Sequence, residues 1–251
     1  MESLGMYHRK VSECLQAIAE KEEKNIRMAA ELVADAIEKD QVIHVIGTGG
    51  HSSIAAEEML WRAGGLVPVN PMLEQGFNLA HGAVRSGLVE RISGYAKPVL
   101  DYYQVKAGEV IIIVNAYGIN SLTIDAALEA KKMGLKVIAI TSPEFSKAVP
   151  EDHPARHPSK KSLYQLDVDV LIDNHMPVGD AVVEFANYAR KVAPVSTILN
   201  AFVVNAITAA TVEILLGRGI EPPVWASANM PGGDAANKRY IDKYFERIKH
   251  L

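Results

Sequence analysis

Three polar stretches in this 251-residue chain carry the residue types that hold an anion: GTGGHSS at 47–53, NAYGINS at 115–121 and TS at 141–142. Each follows a short, β-branched apolar run, and each reads as a strand-to-helix turn. Such a turn exposes backbone N–H groups at a helix N-terminus, where negative charge is favoured. In the first, Gly47 and Gly49 bend the chain while Thr48, His51, Ser52 and Ser53 add side-chain donors. The second offers Asn115, Tyr117, Asn120 and Ser121, and the third Thr141 and Ser142. The plainer alternative is that Ser52 caps a helix and the glycines only turn the chain. Capping alone does not account for three such turns meeting at one sheet end, and the set suits a single phosphate monoester.

Two other phosphate-binding designs are excluded. A dinucleotide turn needs a glycine where Ser52 stands, and an acidic residue at the end of the second strand, where Asn70 stands. A Walker loop needs a lysine that is missing here.

Moving a proton between adjacent carbons takes a carboxylate and a partner such as histidine. Glu74 and His81 share the stretch NPMLEQGFNLAHG, and Glu58 lies beyond the first glycine turn. Glu74 or Glu58 is the candidate base and His81 the proton shuttle. Glu57 reads as a solvated helix position. Glu90 is also within reach, though beside Arg91 it reads as an ordinary ion pair. His153 and His157 have a metal-like spacing, but Pro154 and Pro158 oppose the helix such a site requires, so no metal and no cofactor are expected. The same segment, with Arg156, Ser159, Lys160 and Lys161, reads alternatively as a lid over an anionic ligand. Near the C-terminus, PGGDAANKR forms a further glycine turn, with Asn229 beside it.

Positioning these groups requires a sheet. Apolar runs at 42–46, 66–69, 109–115, 136–141 and 168–173 are of strand length and apolar on both sides, as parallel strands covered on both faces are. A helix starting at Asn120 or Ser121 and ending before Gly134 makes a strand–helix–strand unit with a right-handed crossover. The expected fold is α/β: a three-layer αβα sandwich around a five-stranded parallel sheet of order 2-1-3-4-5, flavodoxin-like. Apolar spacing from Tyr7 to Lys39 predicts one or two helices, an extension over residues 1–40 packed on a single domain spanning 1–251. The stretch 195–217 has one charge, Glu213, yet Asn200, Asn205, Thr208 and Thr211 favour a helix buried between layers or subunits over a membrane span.

A net charge of −4 gives no footprint for nucleic acid. The one cysteine, Cys14, excludes an intrachain disulfide and a cysteine metal cage. With no apolar signal-peptide core at the N-terminus, a cytoplasmic location is expected, with no membrane partner.

GTGGHSS, NAYGIN with its helix SLTIDAALEAKKMGLKVIAITS, and the His81-Gly82 pair after the second strand together resemble the sugar isomerase (SIS) domain family. The resemblance runs from about Val42 onward, and the tail GIEPPVWASANMPGGDAANKRY is similar to that of a bacterial subgroup. It implies a phosphorylated sugar as ligand and an aldose-ketose isomerase working by enediolate proton transfer. The alternative is a non-catalytic sugar-phosphate sensor, although the acidic N-terminal helices do not look like the DNA-binding part of a regulator. It also implies a homodimer or higher assembly, with the C-terminal segment and Asn229 completing a site. Two departures stand out. Asn115 and Tyr117 replace the family's usual serines, and Arg62 falls near the usual place of the base.

Overall fold

The computed structural model describes residues 2–251. Two helices, α1 (Glu2–Lys21) and α2 (Glu23–Glu38), precede a sheet of β1 (Ile43–Gly47), β2 (Val69–Pro71), β3 (Val110–Val114), β4 (Lys136–Thr141) and β5 (Val170–Asp173). The strand order is β2-β1-β3-β4-β5 with every pairing parallel. This is the expected α/β architecture.

Because side chains alternate across a strand, each strand feeds both faces of the sheet. Ile43, Val45, Val110, Ile112, Val114, Ile138 and Ile140 enter one core with α1, α2 and the long helix α8 (Ser196–Gly217). Ile46, Ile111, Ile113, Val137 and Ala139 enter the other. There they meet α5 (Ala96–Tyr102) and α6 (Ser121–Lys132). Three layers result, which is why the strand runs are apolar on both sides.

Two elements differ from the sequence reading. The second strand lies at 69–71 rather than 66–69, because Leu66 and Val67 are drawn to the C-terminal segment: Leu66 bridges Val224, and Val67 N–H donates to the Pro223 carbonyl at 2.8 Å. An antiparallel hairpin, β6 (Ala181–Phe185) and β7 (Tyr188–Pro194), has no counterpart in the sequence reading. The helix α8 is long and apolar enough to cross a membrane by composition. It packs Leu199, Val203, Val204 and Ile207 into the first core and buries Asn200, whose Oδ1 accepts from Asn174 Nδ2 at 2.8 Å. Remaining helices are α3 (Ser53–Glu58), α4 (Ala83–Val89), α7 (Pro143–Ala148) and α9 (Gly233–Tyr244).

Candidate functional site

The first glycine turn is shaped by a close approach. A β-carbon on Gly47 would collide with the Ser52 carbonyl, so the chain folds back on the end of β1 only with glycine there. Thr48 N–H donates to the Val114 carbonyl (3.0 Å), Gly49 N–H to Gly47 (2.9 Å) and Ser53 N–H to Gly49 (3.0 Å). Between these anchors, the N–H groups of Gly50, His51 and Ser52 find no backbone acceptor among the described residues. All three residues line a cavity of about 270 Å³, with Glu90, Asn115 and Tyr117 on its other walls. Successive unpaired amides in a concave turn form an anion-binding nest. Since α3 is only six residues long, a helix dipole adds little here, and an anion at this turn would be met by these amides.

Asn115 braces the third-strand turn against the first. Its Nδ2 donates to the Thr48 carbonyl at 2.7 Å, and its Oδ1 accepts from the N–H groups of Tyr117 (3.1 Å) and Gly118 (2.8 Å). Tyr117 leans on Phe145 with ring centroids 4.7 Å apart. Burial pushes its phenol up, and nearby Asp180 and Glu90 add to the effect.

Several hydroxyls expected to face a ligand are already engaged. Thr48 Oγ1 pairs with Thr123 Oγ1 at 2.7 Å, and Ser53 Oγ donates to the Gly50 carbonyl at 2.7 Å. Ser121 Oγ accepts from Ser93 Oγ at 3.2 Å. Ser142 Oγ donates to the Met176 carbonyl (2.8 Å) and accepts from Phe145 N–H, which caps α7. Of these four, Ser142 caps a helix, whereas Ser52, the candidate cap, stands at the N-cap of α3 without a side-chain cap bond. Asn120 Oδ1 and Thr141 Oγ1 are buried without a partner. Of the side chains expected to bind, His51, Ser52, Asn115 and Tyr117 line the cavity.

The acids are arranged differently from the sequence expectation. Glu90, at the end of α4, does not pair with Arg91; its Oε2 lies 2.6 Å from where a β-carbon on Gly49 would be. Burial raises its carboxyl to about 7, only slightly opposed by Arg91. Glu74 is held by Gly76 N–H (3.1 Å) and the Tyr95 hydroxyl (3.0 Å) on Oε1, outside the cavity. Glu58 lies 3.3 Å from Arg62 Nε and accepts from Asn205 at 3.1 Å, also outside it. His81 belongs to a neighbouring cavity of about 450 Å³, with Glu57, Asn78 and His250. Leu79, packed against Gly50, borders both cavities. Asn229 lies at a third cavity, beside Trp61 and Trp225. Gly50 and Ser53 of the glycine turn line the His81 cavity too, so the turn faces His81 there, whereas Glu58, Glu74 and Asn229 line neither cavity that borders it.

Ser86 and Ser196 line the first cavity and were not read from the sequence. Ser196 opens α8 and donates to Asp180 Oδ2 at 2.8 Å, and a serine before a long apolar run is a recognisable signal. The supposed lid is closed upon itself: Arg156 donates to the carbonyls of Ser146, Val149 and Pro150 and to Ser162 Oγ. His157 Nε2 lies 3.1 Å from Asp125, whereas His153 Nδ1 accepts from Ala155 N–H. Among the described residues no three His, Cys, Asp or Glu side chains gather as metal ligands.

Compared with known families, the chain matches the SIS domain over residues 6–142, more than half its length. The chain belongs to the SIS domain family. The match to the SIS domain begins inside α1, so most of α1 and all of α2 fall within it. A UPF0309 protein of Geobacillus thermodenitrificans is 40% identical over 248 residues, covering 99% of this chain and 97% of that one. Among solved structures, the phosphoheptose isomerase of Neisseria gonorrhoeae superposes with a TM-score of 0.55 at 17% identity, covering 84% of this chain and 98% of that one. That of Francisella tularensis gives 0.52 at 14% identity, covering 84% and 97%. At such identities the likeness to these two SIS structures is one of fold.

Proposed function

We propose that this SIS domain, taken as one domain over residues 1–251, binds a phosphorylated sugar at the first glycine turn and isomerises it between aldose and ketose. The observation that carries the reading is the joining, in one cavity, of three unpaired amides with a carboxyl group held near neutrality. The amides of Gly50, His51 and Ser52 and the Ser52 hydroxyl hold the phosphate. Glu90 takes the proton from C2 of the open-chain aldose and returns it to C1, while the Tyr117 hydroxyl donates its proton to O1 and recovers one from the O2 hydroxyl as the ketose carbonyl forms. A group with a pKa near the working pH exchanges protons in both directions, as a reversible isomerisation requires.

The second reading, a sugar-phosphate sensor without turnover, is favoured by one observation: Glu74 and Glu58 line neither cavity bordering the glycine turn, and His81 lines the one without Glu90. The proton on carbon then falls to Glu90. Incubating the protein with aldose and ketose phosphates in deuterated water separates the readings. Deuterium at C2 or C1 of the recovered sugar is expected for the isomerase. Saturable stabilisation in a thermal-shift assay without any exchange would leave the sensor.

A further inference from the structure

A second cavity has the make-up of a carbohydrate site of its own. It measures about 400 Å³, within the ordinary range for a small-molecule pocket, and its lining includes Trp61, Arg62, Trp225, Ser227, Asn229 and Asn237. Trp225 is buried, flanked by Trp61 at 4.5 Å and by Tyr240 edge-on at 5.9 Å between centroids. Trp61 itself remains 46% exposed. The two indoles are tilted by 54° rather than stacked, and an indole so braced, yet open at the rim, is a platform for the C–H face of a sugar ring.

The platform is held in an unfavourable backbone conformation. Trp61 has φ of +51°, a genuine outlier for a bulky residue and one that persists only where the surroundings enforce it. Here they do. Gly64 N–H donates to the Trp225 carbonyl (2.9 Å), Trp225 N–H to Gly65 (3.0 Å) and Gly65 N–H to Arg62 (2.7 Å), zipping the loop after α3 to the C-terminal segment. Asn237 fixes the floor, its side chain bonding both the N–H and the carbonyl of Ala226 at 2.9 Å. Ser227 and Asn229 stay at the rim with polar groups to offer. The Arg62 side chain is 64% exposed, its charge met at 3.3 Å by Glu58.

We propose that the cavity between Trp61 and Asn229 binds an anionic sugar, its ring stacked on Trp61, its hydroxyls bonded by Ser227 and Asn229, and its charged group met by Arg62. This site is separate from the glycine turn and stands whether or not that turn supports turnover. Because it directly follows α3, the helix leading out of the glycine turn, it is placed to sense or select the same class of ligand.

The chain contains two tryptophans, and both belong to this cavity, so emission excited selectively in tryptophan, leaving the nine tyrosines silent, originates there. Glucose 6-phosphate and N-acetylglucosamine 6-phosphate are titrated into the full chain, with glucose, inorganic phosphate and adenosine monophosphate as controls. A saturable emission change is expected with at least one sugar phosphate, and a weaker one with glucose. Arg62→Ala and Asn229→Ala alter exposed residues and are expected to weaken the response roughly tenfold or more with unchanged melting. Ser52→Ala, at the glycine turn, should leave it intact. Flat emission with both sugar phosphates overturns the proposal, as does a response to adenosine monophosphate alone. A signal that survives both rim substitutions but disappears in Ser52→Ala overturns it too, since the glycine turn would then be its source. So does emission that follows protein concentration rather than added sugar, which would mean that a second copy fills the cavity.

Discussion

Glu90 presses a carboxylate oxygen against the backbone of Gly49, in a cavity whose lining carries no lysine or arginine to offset it. Desolvation therefore governs its titration. Glu90→Gln is expected to lower turnover by about 10²-fold or more, the usual scale of a lost proton-transfer group. His81→Ala, one cavity away, is expected to lower it less than about tenfold. Steady-state kinetics on both variants checks the assignment, and the reverse order would return the role to His81. The sign of the pH effect on stability also follows. An acid raised on folding from 4.5 to about 7 binds its proton more tightly in the native state. Stability relative to Glu90→Gln is then greatest below about pH 4.5 and falls as pH rises through about 7, by up to about 3 kcal/mol. Urea melts at pH 4.5, 6 and 8 should show the two proteins diverging in that direction.

At the scale of elements, the glycine turn exists because β1 and α3 meet without room for a side chain at Gly47. Gly47→Ala is expected to cost about 1–3 kcal/mol or more and to abolish ligand stabilisation in a thermal-shift assay, since the backbone atoms it meets belong to the nest itself. Asn115→Ala removes three hydrogen bonds, one tying the third turn to the first and two within the third. A loss of about 2–4 kcal/mol in a denaturant melt is expected from the buried groups it strands. The sheet was legible because residues apolar on both sides of a strand have few alternatives to burial between two layers, and the helix 121–132 was marked by Asn120 and Gly134 at its ends. The hairpin 181–194 was not legible: VVEFANYARK mixes strand formers with Ala, Glu, Arg and Lys, and its pairing rather than its propensity decides it. Nor could the sequence separate hydroxyls that cap from hydroxyls that bind, because both occupy the same turn positions. Glu90 escaped for a related reason. Its neighbour in sequence is Arg91, but its neighbour in space is Gly49, and only the path of the 72–90 connection makes it so.

For the molecule as a whole, the C-terminal segment is an integral part of the fold. It bridges Leu66, and Arg247 and Lys243 reach Asp40 at the entrance to the sheet. The helix α8 buries one side against the first core and leaves Ile198 and Leu216 exposed. We expect a second copy to cover that open side, so that light scattering at micromolar concentration returns at least twice the chain mass; a monomer would contradict it. The claim on which function rests is narrower: three consecutive amides clasp a phosphate monoester. Amide shifts of ¹⁵N-labelled protein, followed while a sugar phosphate or its free sugar is added, test it directly. Gly50, His51 and Ser52 are expected to move, saturably and only with the phosphorylated compound. Movement elsewhere with these three unchanged, or equal response to the free sugar, would contradict it.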